Sequence, residues 1–251
     1  MRPMPPSLLL ACRLVLTISI PLALVLTNVR LLMTYAFPEA EYGMSSFPPD
    51  LYGFTKAQRL FWAKRSIDYI LSRPSAGRIE DWKFVEDGVS TPDALRQAPG
   101  ESCLYYGSQY GQRDCTYFYN DREIKHMVDV RLLVGQVIWV WIAAVGLGLL
   151  SAGALYYFGE QATLRSGLLA GAGITVFVLV AIVLYLLVNF NTFFTQFHQV
   201  FFEGDTWLFL WSDSLIRLFP VKFWQDAFIF VGGGAIVEAG LIAAWAWWGL
   251  R

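Results

Sequence analysis

Four long runs of apolar residues constrain the fold of this chain more than any other feature of its sequence. A helix needs about 20 apolar residues to cross a hydrocarbon core of roughly 30 Å. The runs that meet this length are Leu8 to Val29, Leu132 to Phe158, Ser166 to Val188 and Ala227 to Leu250. We therefore predict an α-helical integral membrane protein with four transmembrane helices.

The first apolar run has two interpretations, and the position of Cys12 separates them. Leu9-Leu10-Ala11-Cys12 resembles the cleavage motif of a lipoprotein signal. A signal has its apolar region before the cleavage point, whereas here most apolar residues follow Cys12 and continue to Leu26. We interpret the run as an uncleaved span.

Basic residues near the span ends predict the orientation, because short loops rich in Lys and Arg stay in the cytoplasm. Arg2, Arg165 and Arg251 fall in places that share one side of a four-span protein, although Arg217 and Lys222 argue for the other side. Both termini are therefore predicted to be cytoplasmic. The predicted segments are a first helix with a short N-terminus over 1–29, an outer cap over 30–131, a second helix over 132–158, a cytoplasmic loop over 159–165, a third helix over 166–188, an outer interfacial segment over 189–226 and a fourth helix over 227–251.

The outer segment 30–131 is predicted to form a small α+β cap between spans one and two. Thr55 and Gln58 have capping-box spacing, and apolar residues recur at helical intervals after them, which predicts a helix from Thr55 to Ser72. Beyond it, aromatic residues alternate with polar residues and turn formers, which indicates short strands and loops.

Two cysteines of the cap, Cys103 and Cys115, are candidates for a disulfide. Paired cysteines that close a short loop suit an oxidising compartment, and such a bridge typically contributes about 3 kcal/mol. Two free buried thiols are the alternative.

The outer segment 189–226 is rich in aromatic residues. Phe190, Phe194, Phe197 and Phe201 recur at helical intervals, and three tryptophans follow them, at positions 207, 211 and 224. Because tryptophan favours the membrane interface, we predict amphipathic helices at the outer surface.

The chain has two histidines, and the predicted topology brings both to the same face. His126 lies about one turn before span two, and His198 lies about two turns after span three. Adjacent helices can bring the two rings together, although a lone interfacial histidine is commonly a polar anchor. Geometry alone favours equally an active site formed by both histidines and two separate polar anchors.

Several enzyme classes lack their motifs in this sequence. Gly107-Ser108-Gln109-Tyr110-Gly111 has the wrong spacing for a nucleophile elbow, and no His-Glu-x-x-His or Cys/His cluster occurs. A formal net charge of −1 gives no indication of a nucleic-acid partner. Two imidazoles can still assist a nucleophile that the substrate supplies, since one accepts its proton while the other supports an oxyanion. An amine attacking an ester is such a case.

Three stretches together resemble one known family. They are "EIKHMVDV" leading into a span, "FHQVFFEGDTWLF" followed by "DSLIRLFPVKFW", and the upstream "DLYGFTKAQRL". In this order and topology they are similar to the bacterial lipoprotein intramolecular transacylases. The sequence departs from that family in a longer stretch from Gly88 to Thr116.

The resemblance implies an activity and a site. Family members move the sn-2 acyl chain of a diacylglyceryl-cysteine onto the α-amino group of that cysteine and leave a lyso-form lipoprotein. It implies two catalytic histidines, His126 and His198, with His126 expected as the base and His198 supporting the oxyanion or protonating the leaving glyceryl oxygen. It implies neither a cofactor nor a metal. The expected partners are diacylglyceryl-modified lipoproteins and membrane lipid. The expected location is the bacterial cytoplasmic membrane, with the active site at the outer leaflet. The sequence does not give the oligomeric state, and the protein could be a monomer.

Further residues are candidates for substrate contact or for supporting the rings. Asp129 and Asp205 could orient an imidazole or could be solvated charges, and Glu238 is a carboxylate in the middle of span four that could simply bond within the helix bundle. The expected substrate-binding residues are Arg122, Glu123, Asp129, Phe197, Phe201 and Trp207.

Two other classes of function stay open at this point. Two histidines on neighbouring helices could ligate one haem iron from both sides. The chain could also be a noncatalytic membrane scaffold with an outer binding cap.

Overall fold

The computed structural model describes residues 4–83 and 117–249. Within these ranges the chain is helical, with short 3-10 turns at Pro74–Ala76 and Ile79–Asp81. The α-helices, numbered here in chain order, are α1 (Pro6–Leu32), α2 (Ala36–Gly43), α3 (Lys56–Ile70), α4 (Asp121–Tyr157), α5 (Gln161–Val188), α6 (Phe190–Phe201), α7 (Ser214–Leu218) and α8 (Val221–Trp248).

Helices α1, α4, α5 and α8 are each long and apolar enough to cross a membrane. The four membrane helices predicted from the apolar runs are therefore present, and the chain is a multi-pass membrane protein. Helix α4 has 37 residues and rises about 55 Å, well beyond a hydrocarbon core of about 30 Å. Part of α4 must therefore extend outside the hydrocarbon.

The chain divides into two compact units, which we call the membrane unit and the cap unit. The membrane unit comprises residues 1–31, 136–193 and 228–251, and the cap unit comprises residues 32–135 and 194–227. Helices α1, α4, α6 and α8 contribute residues to both units.

Close backbone approach holds the membrane unit together. A Cβ added at Gly171 of α5 would lie 2.7 Å from the Ile20 Cβ and 2.9 Å from the Thr17 carbonyl oxygen of α1. Glycine is the residue that permits such contact between two membrane helices, where small residues at the interface favour association.

The carboxyl group of Glu238 pairs within the membrane unit. Asn28 of α1 donates from Nδ2 to Glu238 Oε2 at 3.0 Å and to the Leu24 carbonyl oxygen at 3.0 Å. The Asn28 amide lies directly over Gly234, where an added Cβ would come within 2.2 Å of its Oδ1. Of the two interpretations of Glu238, the structure supports the hydrogen bond within the helix bundle.

The core of the cap unit is built on α3. Thr55 and Gln58 form the predicted capping box. The Thr55 side chain accepts the backbone N–H of Gln58, and the Gln58 side chain accepts the backbone N–H of Thr55. The ring of Trp62 is fully buried and stacks on Phe118 at 3.8 Å between centroids. Around this stack lie further buried apolar side chains, among them Tyr69, Ile79, Trp82, Tyr119, Met127 and Leu218.

The α+β character predicted for the cap is not supported. Among the described residues Lys83 and Tyr117 form one isolated antiparallel bridge, and no strand is present in them. Trp82, Phe118 and Tyr119 instead pack side by side in the α3 core. Within the described residues, the aromatic side chains at positions 82, 118 and 119 are therefore buried against a helix, which the alternation of polar and aromatic residues alone does not distinguish from a strand.

Part of the cap prediction falls on residues outside the described ranges. The strands expected between residues 84 and 116 lie there, as do Cys103 and Cys115. Their disulfide stays a prediction. Cys12, the third cysteine, is a free and buried thiol within α1.

A buried ion pair links two distant segments of the cap unit. Arg217 of α7 donates from Nε and Nη2 to the two carboxylate oxygens of Asp50, each at 3.0 Å, and both side chains are 2% exposed. Asp50 also accepts the backbone N–H groups of Tyr52 and Phe54. A bidentate pair of this kind fixes geometry as well as charge.

Candidate active site

His126 lies in the second turn of α4, within the cap unit. The helix start is fixed by a reciprocal pair of bonds: Asn120 Oδ1 accepts the Glu123 N–H at 2.9 Å, and Glu123 Oε2 accepts the Asn120 N–H at 2.8 Å. This arrangement satisfies two of the N–H groups that a helix start leaves without partners. It therefore sets where α4 begins and how His126 faces.

His198 lies near the end of α6 and is oriented by the main chain. Its Nδ1 is 2.7 Å from the carbonyl oxygen of Phe194, four residues earlier. A carbonyl oxygen can only accept, so Nδ1 carries the proton. In the neutral ring, Nε2 then holds a free lone pair and can act as a base.

The two rings lie together and are both buried. Their centroids are 6.0 Å apart with 26° between the ring planes, and His126 and His198 are 6% and 8% exposed. A carbonyl carbon of a substrate could lie within reach of both rings at this separation. The predicted meeting of the two histidines is thus present within the cap unit.

Aromatic side chains surround both imidazoles. Phe202 contacts both, at 4.8 Å from His126 and 5.7 Å from His198 between ring centroids. Phe209 lies against His126 at 5.4 Å, and Trp207 lies against His198 at 5.0 Å. The rings therefore lie in a largely apolar environment.

Burial keeps His198 neutral. It lowers the pKa of His198 below the ordinary value of 6.5, and the bond to the Phe194 carbonyl, which favours the protonated ring, does not reverse that shift. Removing a charged ring from water is unfavourable, which is the physical cause of the lowered pKa. At pH 7 the ring is therefore neutral, with its lone pair on Nε2.

The Nδ1 atom of His126 differs from that of His198 in having no partner. It is buried and makes no hydrogen bond within the described part of the chain. A buried N–H without an acceptor is rarer than a buried acceptor without a donor. We therefore infer that the proton of neutral His126 is on Nε2, so that this ring can donate where His198 can accept.

Three of the aromatic contacts come from one irregular segment between α6 and α7, residues 202–213, which we call the cover segment. It turns sharply at Gly204, whose φ of 73° lies in the left-handed region that suits glycine. The indole of Trp207 donates to the Gly204 carbonyl oxygen at 3.2 Å. This bond fixes the indole that lies against His198.

The substrate-binding residues expected from the sequence differ in their distance from the rings. Phe197 contacts His198 at 5.7 Å between centroids, as does Trp207 at 5.0 Å. Phe201 contacts Phe197 at 4.9 Å and is about half exposed. These aromatics thus extend from the His198 ring to the surface of α6.

Two of the charged candidates make hydrogen bonds to backbone groups of neighbouring segments. Arg122 donates to the Leu208 carbonyl oxygen of the cover segment at 3.0 Å, and the Glu123 carboxylate accepts backbone N–H groups. Asp129 is partly buried on α4, and Asp205 is exposed in the cover segment. The group that orients the His198 ring is the Phe194 carbonyl rather than either aspartate.

Sequence reasoning missed three participants in this site. The Phe194 carbonyl has no signal in residue type, because every residue carries a carbonyl. Phe202 and Phe209 lie in the quoted stretch "FHQVFFEGDTWLF". Their aromatic character was visible, but their approach to His126 depends on the turn at Gly204.

The surroundings favour neither a metal nor a haem between the rings. Within the described residues, no group of three or more His, Cys, Asp or Glu side chains could hold a metal ion. A porphyrin between the two imidazoles would have to displace Phe202, which packs against both. The arrangement suits proton transfer between substrate groups better.

The assigned tautomer and lowered pKa of His198 give a direct prediction. With histidine selectively labelled with 15N, the chain should show two imidazoles in NMR spectra, and a His126→Gln variant identifies the ring of His198. We expect His198 to show a protonated Nδ1 and a bare Nε2 at pH 6.5, and to gain its second proton only at lower pH. Trp207→Ala should raise that pKa towards 6.5, because it exposes the ring. A protonated Nε2 on the neutral ring would contradict the assignment.

These features define a class: a multi-pass helical membrane protein with two buried imidazoles in its cap unit. The family model described as lipoprotein intramolecular transacylase Lit matches residues 14–224, and the chain belongs to this family. It is 29% identical over 225 residues to an uncharacterized protein of Aquifex aeolicus (strain VF5), covering 87% of this chain and 85% of that protein.

The chain is also similar in fold to solved structures of a family member. The membrane-integral lipoprotein intramolecular transacylase Lit from Bacillus cereus matches with a TM-score of 0.66 at 19% identity, covering 98% of this chain and 99% of that one. A variant of that protein with a histidine changed to arginine matches with a TM-score of 0.53 at 15% identity, covering 96% and 92%. Family and fold together support membership of a membrane-integral, lipoprotein-modifying transferase family.

Proposed function

We propose that this protein transfers the sn-2 acyl chain of a diacylglyceryl-modified cysteine to the α-amino group of the same cysteine. The product is a lyso-form lipoprotein with an N-acyl group. The observation that carries the proposal is the buried His126–His198 pair, with ring centroids 6.0 Å apart, in which Nε2 of His198 can accept a proton and Nε2–H of His126 can donate a hydrogen bond. Membership of the lipoprotein intramolecular transacylase family supports it independently.

The reaction balances without any added reactant. The amine nitrogen attacks the ester carbonyl carbon, which forms a C–N bond and places negative charge on the carbonyl oxygen. The proton lost from the attacking nitrogen passes to His198 Nε2. The C–O bond to glycerol then breaks, and the same proton passes from His198 to the leaving glyceryl oxygen.

His126 supports the negative charge in this scheme. Its Nε2–H would donate a hydrogen bond to the oxyanion while the tetrahedral intermediate exists. A donor already aimed at that position, in surroundings without water, stabilises the charge more strongly than a solvent molecule does. The aromatic side chains around the rings supply such surroundings.

The base in this scheme is His198, whereas His126 is the base expected from the sequence. The bond from Nδ1 to the Phe194 carbonyl favours His198, since it leaves a lone pair on Nε2 and holds the ring in place. This orienting bond corresponds in role to the carboxylate of a serine hydrolase triad. The chemistry requires no cofactor.

Substrate geometry supplies much of the rate. The amine and the ester belong to one molecule, so attack is intramolecular and the loss of translational entropy is avoided. We propose that Arg122, Asp129, Phe197, Phe201 and Trp207 contact the lipid headgroup or the peptide. In the proposed setting, the site lies at the outer leaflet of a bacterial cytoplasmic membrane, where diacylglyceryl lipoproteins and membrane lipids are found.

Mass spectrometry of a reporter lipoprotein tests the function directly. The reporter is expressed with this protein in bacterial cells that lack their own N-acylation enzyme, and its N-terminal lipopeptide is fragmented. We expect a product with the same mass as the diacylglyceryl form, whose fragments carry an N-acyl group and a lyso-glyceryl group. This identity of mass is expected because the acyl chain only changes position.

One control variant and one alternative product make the result specific. Cells expressing the His126→Ala, His198→Ala double variant should give the unrearranged lipopeptide with a free amine. A gain in mass equal to a third acyl chain would instead indicate transfer from a separate lipid. Either that gain, or a free amine in cells with folded wild-type protein, would overturn the proposal.

A further inference from the structure

A carboxyl group that the proposed reaction does not use lies one turn from His126. Glu123 precedes His126 by three residues on α4, and it is 1% exposed. Ionisable side chains are seldom buried to this extent unless their oxygens are bonded. Its surroundings therefore indicate a role for the carboxylate.

Both oxygens of Glu123 accept backbone N–H groups, from two different parts of the cap unit. Oε2 accepts the N–H of Asn120 at 2.8 Å, which is the capping bond of its own helix. Oε1 accepts the N–H of Leu215 at 2.6 Å, across 92 positions of the chain. One carboxylate thus joins the start of α4 to the start of α7.

Neighbouring side chains reinforce this junction. Asp213, at the end of the cover segment, accepts the N–H of Leu210 at 2.9 Å and the side-chain amide of Asn120 at 3.3 Å. Asn120 in turn accepts the N–H of Glu123. Residues Asn120, Glu123 and Asp213, which we call the polar brace, connect the helix of His126 to the end of the cover segment.

The cover segment bears the side chains that lie against the rings. Phe202 lies against both imidazoles, Phe209 against His126 and Trp207 against His198. The far end of this segment is bonded to the polar brace through the N–H of Leu210, and the N–H of Leu215 is bonded to it directly after the segment, in α7. A shift of that end would move the aromatic side chains relative to the rings they touch.

We infer that Glu123 is a positioning residue for the two-histidine site: its bonds to Asn120 and Leu215 hold the cover segment in register with His126 and His198. The inference rests on the proposed function for its kinetic consequence, and on geometry alone for its structural one. It assigns Glu123 a supporting role in place of the substrate contact expected from the sequence.

The kinetic consequence follows from the loss of one bond. Glu123→Gln keeps the size of the side chain, but it replaces one of the two accepting oxygens with an NH₂ group, which cannot accept the N–H of Asn120 or Leu215. A displacement of about 1 Å in a reacting site can cost about 100-fold in rate. We expect kcat to fall by about 10- to 100-fold, with KM little changed.

The test uses the full-length purified protein in detergent micelles, with a synthetic diacylglyceryl-cysteine lipopeptide as substrate. Kinetics and 15N-histidine NMR spectra are recorded for the wild type, Glu123→Gln and, as a matched control, Glu39→Gln. Glu39 is an exposed carboxylate of α2 paired with Lys64. The control should match the wild type in both measurements.

The two readouts separate positioning from other roles. A positioning role predicts a lower kcat together with shifted ring signals of His126 or His198. A lower kcat with unchanged ring signals and a lost limb of the pH profile would make Glu123 a proton-transfer group and overturn the inference. Unchanged activity per folded molecule would overturn it too.

The inference can still be tested if the variant does not fold or if the wild type is inactive. If Glu123→Gln does not fold, Glu123→Asp is measured instead, since it keeps a carboxyl group on a shorter side chain that cannot span both N–H groups. If the wild type gives no N-acyl product, the proposed function fails, and the ring signals alone then decide: a shift in the variant supports positioning, and no shift overturns it.

Discussion

His198→Gln is expected to lower kcat by about 100- to 10,000-fold, the range that a general base contributes, whereas His126→Gln should retain much more activity. The reason is the opposite demand on the two Nε2 atoms. His198 must accept a proton, which an amide side chain cannot do at neutral pH. His126 must donate a hydrogen bond, which the NH₂ group of glutamine can still supply.

Alanine variants complete the comparison. His126→Ala removes the donor, and loss of one oxyanion donor typically costs about 100- to 1,000-fold in kcat. Glutamine should therefore rescue position 126 relative to alanine and should fail to rescue position 198. Single-turnover formation of the N-acyl product, followed by mass spectrometry of the lipopeptide, gives the rates.

Exposed neighbours serve as controls for this experiment. Lys125 and Gln199 each adjoin one histidine in the sequence and are exposed to solvent. Lys125→Ala and Gln199→Ala should keep wild-type rates. Rescue by glutamine at position 198 and not at 126 would reverse the assigned roles of the two rings.

Asp50→Asn is expected to destabilise the cap unit by about 3–5 kcal/mol, the cost of leaving a buried charge without its partner. Arg217 is 2% exposed, and both carboxylate oxygens of Asp50 accept its N–H groups. Asparagine keeps the size of the side chain but provides one acceptor oxygen and no charge. The guanidinium of Arg217 would then be buried without its carboxylate partner, with the rings of Phe54 and Tyr52 beside it.

Denaturant-induced unfolding in detergent, followed by tryptophan fluorescence, measures this loss. Asp81→Asn is the control, because Asp81 is exposed and its contact with Arg78 is a loose surface pair at 3.5 Å. Its effect should stay within about 0.5 kcal/mol. The double change Asp50→Leu, Arg217→Met should recover stability relative to Asp50→Asn, because it removes both buried charges. Equal stability of Asp50→Asn and the wild type would contradict the assigned contribution of the pair.

The elements with a strong local signal could be predicted from the sequence. The apolar runs gave the four long helices, because burial in lipid demands a continuous apolar stretch. Thr55 and Gln58 gave the start of α3, because a capping box is local. The stripe through Phe190 and Phe201 falls on α6, whose period is that of a helix.

The arrangement of the site depends on contacts that have no local signal. The bond between Glu123 and Leu215 joins residues 92 positions apart, and no feature near either residue indicates the other. Asp50 and Arg217 are 167 positions apart. The aromatic residues around position 82 were interpreted as strand residues because their pattern is the same whether they pack on a sheet or on α3. Such features are decided by tertiary packing, which overrides local preference.

The acceptor that orients His198 belongs to the main chain, and this affects how the site responds to mutation. A side-chain carboxylate in that role can be removed by one substitution, and its loss is visible in a sequence. No change of side chain at position 194 removes its carbonyl oxygen. The tautomer of His198 is thereby tied to the continuity of α6 itself. A variant that breaks this helix would remove the bond that orients the base, even with every catalytic side chain intact.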